Sequence, residues 1–299
     1  MANREQRMRN REQRIGNKRV MEKILFDAHA HINEESFSEK DREELARKIE
    51  ASQVAYVMDA GANLKSSGQA VRDAAKYPWC YAVVGVHPHD SKELDEDGLK
   101  KLAAMTSEEK VCGIGEIGLD FHYDLSERDV QRYWFRRQIQ LANELKLPIV
   151  IHSREAEAET MKILKEEGAF SKERQQFFPP RKDASGNEKG DSRVLIHCFS
   201  GSRETARQYV ELGATISICG PVTFKNSRKT SEVAADIPIE FLTVETDSPY
   251  LAPVPKRGKQ NMSPYVEYVA RRVAVLKGMS FEDVARKTCE NAKNFYGIG

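Results

Sequence analysis

Eight short apolar runs recur along the chain, at 24–28, 54–58, 81–86, 111–115, 149–151, 194–196, 214–218 and 241–244. They are rich in β-branched residues and show little polar alternation, the pattern of strands buried on both faces. The intervals between them carry helical periodicity. The segment 39–50 follows Ser38 and places Leu45, Ala46 and Ile49 on one face. Segments 66–76, 94–105, 127–145, 154–167, 203–212, 227–236 and 263–276 repeat the pattern, with Ser126 expected to start the long one. A last helix, 280–295, opens on Ser280 and Asp283, a capping signature.

Strand and helix in strict alternation predict an α/β fold, a single-domain (β/α)8 TIM-type barrel. An open doubly wound sheet is the competing architecture. It lacks support, because Gly113 and Gly115 stand without the rest of a dinucleotide fingerprint and no Walker sequence occurs. Residues 171–192 break the rhythm with two prolines, two glycines and nine charged residues. They read as an exposed inserted loop.

Composition changes the picture in two places. Lys and Arg number 47 and Asp and Glu 46, for a net charge of +1. The balance is uneven, since residues 1–20 hold seven cations and two anions. The chain divides into a basic tail, 1–20, and a mildly acidic barrel, 21–299, so attraction for a polyanion has to be local. The tail has no apolar segment of the kind a leader or membrane span requires, and a cytoplasmic protein without membrane contact is expected. Met21 is a second candidate start. No obligate protein partner is evident. The five cysteines, Cys80, Cys112, Cys198, Cys219 and Cys289, are widely spaced with no CxxC pair, which argues against a disulfide framework or a cysteine-based zinc site.

Chemistry-bearing residues stand where five of the strands end. Asp27-Ala28-His29-Ala30-His31 follows the first, Glu116 the fourth, His152 the fifth, His197 the sixth, and Glu245-Thr246-Asp247 the eighth. In a barrel these ends converge on one face. His29, His31, Glu116, His152, His197 and Asp247 then form a set of six ligands, more than one tetrahedral ion needs, so two divalent ions (Mg, Mn or Zn) are expected. Glu116 is the candidate bridge. Asp247 is the candidate ligand and proton acceptor, with metal-bound hydroxide the expected nucleophile.

The motifs FDAHAHIN (26–33), GVHPHD (85–90), GEIGLDFHYD (115–124), IHSREA (151–156), HCFSGS (197–202), GPVTFKN (220–226), ETDSPYLAP (245–253) and RGKQN (257–261) resemble the TatD-like metal-dependent hydrolases of the amidohydrolase superfamily. The likeness runs from Phe26 to about Phe295. It implies a TIM-type barrel, a divalent metal site at the six residues named, and deoxyribonuclease activity of the exonuclease type. Substrate contacts are expected from His87, His122, Arg154, Lys256, Arg257 and Lys259, with DNA as the substrate. HCFSGS does not make a serine-nucleophile elbow. Two other readings use the same residues: a hydrolase of an amide, lactone or D-aminoacyl ester, and a non-catalytic nucleic-acid-binding protein with a structural metal.

Overall fold

The computed structural model describes residues 22–183 and 185–299; the basic tail and the second candidate start lie outside them. Eight parallel strands form one sheet in the order β1 (Leu25–Ala30), β2 (Val54–Ala60), β3 (Cys80–Val84), β4 (Val111–Asp120), β5 (Ile149–Arg154), β8 (Val194–Ile196), β9 (Thr215–Ile218) and β10 (Leu242–Val244). Past the end of β10, Asp247 N donates to His29 O at 3.0 Å and His31 N to Ser248 O at 2.7 Å. These bonds bring the last strand back to the first and complete a (β/α)8 barrel.

Helices α1 (Glu39–Glu50), α2 (Leu64–Lys76), α3 (Glu96–Met105), α4 (Arg128–Glu144), α5 (Glu157–Glu166), α7 (Arg203–Glu211), α8 (Arg228–Asp236) and α9 (Val266–Lys277) surround it. Ser38 and Ser280 cap as expected; Ser38 Oγ accepts from Asp41 N at 3.2 Å, and Ser280 Oγ from Asp283 N at 3.1 Å. Ser126 does not cap α4. Its hydroxyl donates to His89 O at 2.8 Å and accepts from Lys92 N, tying the loop after β3 to the loop after β4. Trp79, Trp134 and Phe135 are buried in the core. Among the described residues no helix is long and apolar enough to cross a membrane.

Alternation along the strands separates two cores. Ile149, Ile151, Val194, Ile196, Leu242 and Val244 face the helices. Phe26, Met58, Val83, Val150 and Leu195 fill the barrel interior. The last helix, α10 (Phe281–Tyr296), adds Phe295 and Tyr296 to that interior, and the Tyr296 hydroxyl donates to Ala28 O at 2.9 Å. The inward face of β5 and β8 is therefore apolar first and polar later: Val150 is followed two residues on by His152, and Leu195 by His197.

The segment 171–192 is only partly the exposed loop expected. Its first half forms a short helix, α6 (Lys172–Gln175), whose Arg174 is 1% exposed. The guanidinium donates to Ser192 O at 2.8 Å, Asn143 Oδ1 at 2.8 Å and Leu147 O at 2.7 Å, just before β5 and β8 begin. A charged side chain can be buried in this way because each of its nitrogens meets a fixed acceptor. The second half is a small hairpin of β6 (Arg181–Lys182) and β7 (Glu188–Lys189). Arg174→Met keeps the aliphatic stem and abandons three buried acceptors. It is expected to lower stability by about 2–4 kcal/mol in urea unfolding, far more than a surface change.

Candidate metal centre

Phase changes in the strands aim the ligands. Phe26 and Ala28 point inward on β1, so regular alternation would send Ala30 inward too. The pairing of β1 with β2 shifts between Asp27 and Ala30, and Ala30 packs toward the helices instead. The irregularity turns His29 and His31 into the barrel mouth, a familiar use of a bulge. A second shift lies between Ile114 and Ile117 on β4. Beyond it Ile117 and Leu119 face the helices, while Glu116, Gly118 and Asp120 face inward. Gly118 has φ 151°, and a Cβ there would strike the His152 carbonyl. Only glycine lets β4 and β5 run this close.

The six expected ligands come together, and their donor atoms divide into two groups. Around Glu116 Oε2 stand His29 Nε2 at 3.6 Å and His31 Nε2 at 3.7 Å. Asp247 Oδ1 lies 3.9 Å from the first and 3.4 Å from the second. Around Glu116 Oε1 stand His197 Nε2 at 2.7 Å and His152 Nδ1 at 2.9 Å, with His87 Nε2 at 3.6 Å. One carboxylate thus gives one oxygen to each group.

The second nitrogen of three histidines is already engaged, which fixes the nitrogen that faces the centre. His31 Nδ1 pairs with Ala60 O at 2.8 Å. His197 Nδ1 faces Glu245 Oε1 at 3.3 Å. His152 Nε2 pairs with Asp120 Oδ2 at 3.2 Å. Such outer partners orient metal-binding imidazoles and set their tautomer. Deeper acids brace the loops. Asp59 Oδ1 accepts from Ile32 N, Asn33 N and Asn33 Nδ2 behind His31. Asp27 accepts from Thr246 N at 2.8 Å and Thr246 Oγ1 at 2.6 Å, locking the Asp247 segment to β1.

These residues fit a cation. His29 is wholly buried, yet neither ring nitrogen has a hydrogen-bond partner. Buried imidazole left this way is costly unless a ligand takes it up. Spacings of 3.4–3.9 Å in the first group exceed a hydrogen bond, but suit the edges of a coordination shell with bonds of about 2.1 Å. The electrostatics agree. Burial would raise the Glu116 carboxyl, but His197, His87 and the hydrogen bonds from His152 and His197 hold it well below its ordinary value. Burial would lower His31, yet Asp247 and Glu116 carry it up to about 9. His197 is pushed up by Glu116 and Glu245 against its burial. The cluster draws positive charge to itself, and imidazole with carboxylate is the donor chemistry of divalent metal sites.

Above the ligands opens a cleft of about 850 Å³, bordered by Asn33, Tyr123, Arg154, Cys198 and Tyr250. Arg154 lies on its wall with the guanidinium 4.7 Å from the centre of the Tyr123 ring. His122 sits at the rim, its Nδ1 paired with Glu155 at 2.7 Å and its ring against Tyr123. All seven histidines of the sequence are therefore at this end of the barrel. The basic loop is placed differently from the expectation. Lys256, Arg257 and Lys259 do not border the cleft; Arg257 lies 4.0 Å over Phe224, and Lys256 lies near Tyr265 and Tyr268.

Two residues of the centre were not assigned from the sequence. Glu245 stands two residues before Asp247, and only the fold shows its carboxylate against His197 Nδ1. Asp120 was hidden because β4 runs four residues past Glu116; the period-two spacing 116, 118, 120 was its available signal. Asp120 is fully buried, and besides His152 it holds His89 Nε2 at 2.9 Å and the backbone of His122 and Tyr123. In Asp120→Asn the amide keeps the size but presents an N–H to His152 Nε2. That favours the tautomer with a proton on Nδ1, the atom facing Glu116. Metal affinity measured by calorimetry is expected to fall about 10–100-fold.

A family model described as TatD related DNase matches residues 26–297. A Bacillus subtilis protein named uncharacterized metal-dependent hydrolase YabD is 41% identical over 275 residues, spanning 92% of this chain and 100% of its own length. A Salmonella typhimurium protein named 3'-5' ssDNA/RNA exonuclease TatD is 30% identical over 279 residues, spanning 92% of this chain and 99% of its own. The crystal structure of the Escherichia coli TatD homolog YJJV superposes with a TM-score of 0.80 at 24% identity, covering 93% of this chain and 99% of that one, which bears on the fold. With the matched model spanning nearly the whole barrel, this chain belongs to the TatD-related DNase family of metal-dependent hydrolases.

Proposed function

We propose that the protein is a two-metal nuclease that removes nucleotides from an end of single-stranded DNA. The observation that carries this reading is the division of Glu116, Oε2 toward His29, His31 and Asp247 and Oε1 toward His152 and His197. Two divalent ions, magnesium, manganese or zinc, supply Lewis-acid stabilisation of a phosphoryl group and lower the pKa of water. His29, His31, Glu116 and Asp247 would hold one, and Glu116, His152 and His197, with His87 beside them, the other.

The chain's own residues do the rest. Asp247 turns Oδ1 to the histidines and has a side chain 14% exposed, against 5% for Glu116, so its Oδ2 is the placed acceptor for the proton of attacking water. Arg154 offers a fixed cation to a phosphate oxygen. Tyr123 and Tyr250, both half exposed at the mouth, give flat surfaces for terminal bases. Lys256, Arg257 and Lys259 are assigned to phosphates further along the strand, where their effect is salt-dependent affinity. The exonuclease name of the Salmonella relative supports the substrate class and the end-directed mode.

The test is hydrolysis of end-labelled single-stranded DNA with added metal, with chelator, and in Asp247→Asn. Stepwise shortening that stops with chelator and falls about 10²–10⁴-fold in the variant is expected. DNA binding without turnover points to the non-catalytic reading. Turnover of an amide, lactone or aminoacyl ester panel with intact DNA points to carbonyl chemistry. Either outcome overturns the proposal.

A further inference from the structure

On the Nδ1 side of His197, away from Glu116, two thiols and a carboxylate meet. Cys198 follows β8, Cys219 follows β9 and Glu245 follows β10, so three adjacent strands each send one group to the same point. One ligand atom of each lies within 4.8 Å of the others. The wide spacing that argues against a cysteine metal site in the sequence is closed by the barrel, because β8, β9 and β10 are neighbours.

Glu245 is the second observation. It is fully buried. Its Oε1 accepts from Cys198 N at 2.6 Å and faces His197 Nδ1 at 3.3 Å. Its Oε2 has no hydrogen-bond partner. A buried carboxylate oxygen in that state needs a cation or a donor. Cys219 offers none, since its thiol is turned to Thr246 O at 3.3 Å. Cys198 borders the cleft, which gives an ion from solvent a route in.

The geometry points to a separate site for a thiophilic divalent ion of the zinc class, bound by Cys198 Sγ, Cys219 Sγ and the Glu245 carboxylate. Two sulfurs and one oxygen suit zinc rather than magnesium or calcium. Binding forms two metal–sulfur bonds and one metal–oxygen bond, and the two thiol protons leave to solvent. The same Glu245 then holds His197 with one oxygen and the ion with the other, so this site and the histidine centre share a side chain. An ion here restrains the ends of β8, β9 and β10 together.

Cadmium is the probe, because cadmium bound to thiolate gives an ultraviolet charge-transfer band and the nitrogen–oxygen groups at the barrel mouth give none. The band therefore reads this site whether or not the hydrolase reading holds. The chelated, phosphine-reduced full chain is titrated with cadmium. A saturable band is expected, displaced by zinc, lost in Cys198→Ala, and kept when Cys80, Cys112 and Cys289 are changed to Ser. Cys198 is partly exposed, so its variant is the safe one to fold; Cys219→Ala repeats the test at the buried ligand. No band in the wild-type chain, or a band that survives Cys198→Ala, overturns the site.

Discussion

Glu116→Gln is expected to lower hydrolysis by ~10³-fold or more, because it removes one ligand from both donor groups at once. The structural reason is the central carboxylate. Five histidines, His29, His31, His87, His152 and His197, have a nitrogen within 3.7 Å of one of its oxygens. Glutamine has the same shape but no charge, and it can offer an acceptor to only one side. Its amide nitrogen then opposes a ring nitrogen meant for a cation. Metal analysis separates this variant from Asp247→Asn. Glu116→Gln should lose metal from both groups together, whereas Asp247→Asn touches only the group of His29 and His31. If Glu116→Gln retains full metal content, the carboxylate does not join the two groups.

Removal of divalent ions is the other large effect. Turnover is expected to stop, and stability to fall by about 2.7 kcal/mol for each ion held at a hundred times its dissociation constant. For a chain of this size that is a loss of roughly 4 °C in melting temperature for the first ion alone. The loss should depend on pH. In the chelated protein His31 is raised to about 9 by Asp247 and Glu116, overcoming its burial. A histidine raised in the folded state stabilises fully below its unfolded value of about 6.5 and loses that contribution as pH climbs through the folded value. His197, also raised, acts in the same direction. Protons therefore stand in for the ion at low pH and leave at high pH. The gap in melting temperature between loaded and chelated protein should widen from about pH 6.5 to about 9. A gap that narrows over that range would mean that these histidines do not carry the compensating charge.

The barrel was legible because every buried strand is an apolar run, and five of the eight are also marked by the polar residue that follows. Val150 with His152 and Leu195 with His197 are such pairs, and the six candidate ligands, each at or just past a strand end, come together at one mouth. What escaped depends on contacts across the chain. Asp120 belongs to the centre because β4 continues past Glu116, and an apolar run that seems to stop at Gly115 does not reveal this. Ser126 has the composition of a helix cap, but its hydroxyl is taken by His89 O and Lys92 N, from a loop distant in sequence. Arg174 sits in a stretch with the charge of an exposed loop, yet its acceptors come from Asn143, Leu147 and Ser192. The basic loop at Lys256 follows Asp247 in sequence, but Phe224, Tyr265 and Tyr268 hold Lys256 and Arg257 beyond the cleft border.

The gathering of all seven histidines at one end of the barrel makes imidazole a private signal of the site. Protein isotope-labelled in histidine alone would give a magnetic resonance spectrum in which every side-chain resonance belongs to the centre or its rim. Tautomer, protonation and ion binding at each ring could then be followed with no background from the rest of the molecule. The untagged chain is the form to label, because an affinity tag of histidines would bury that signal under its own.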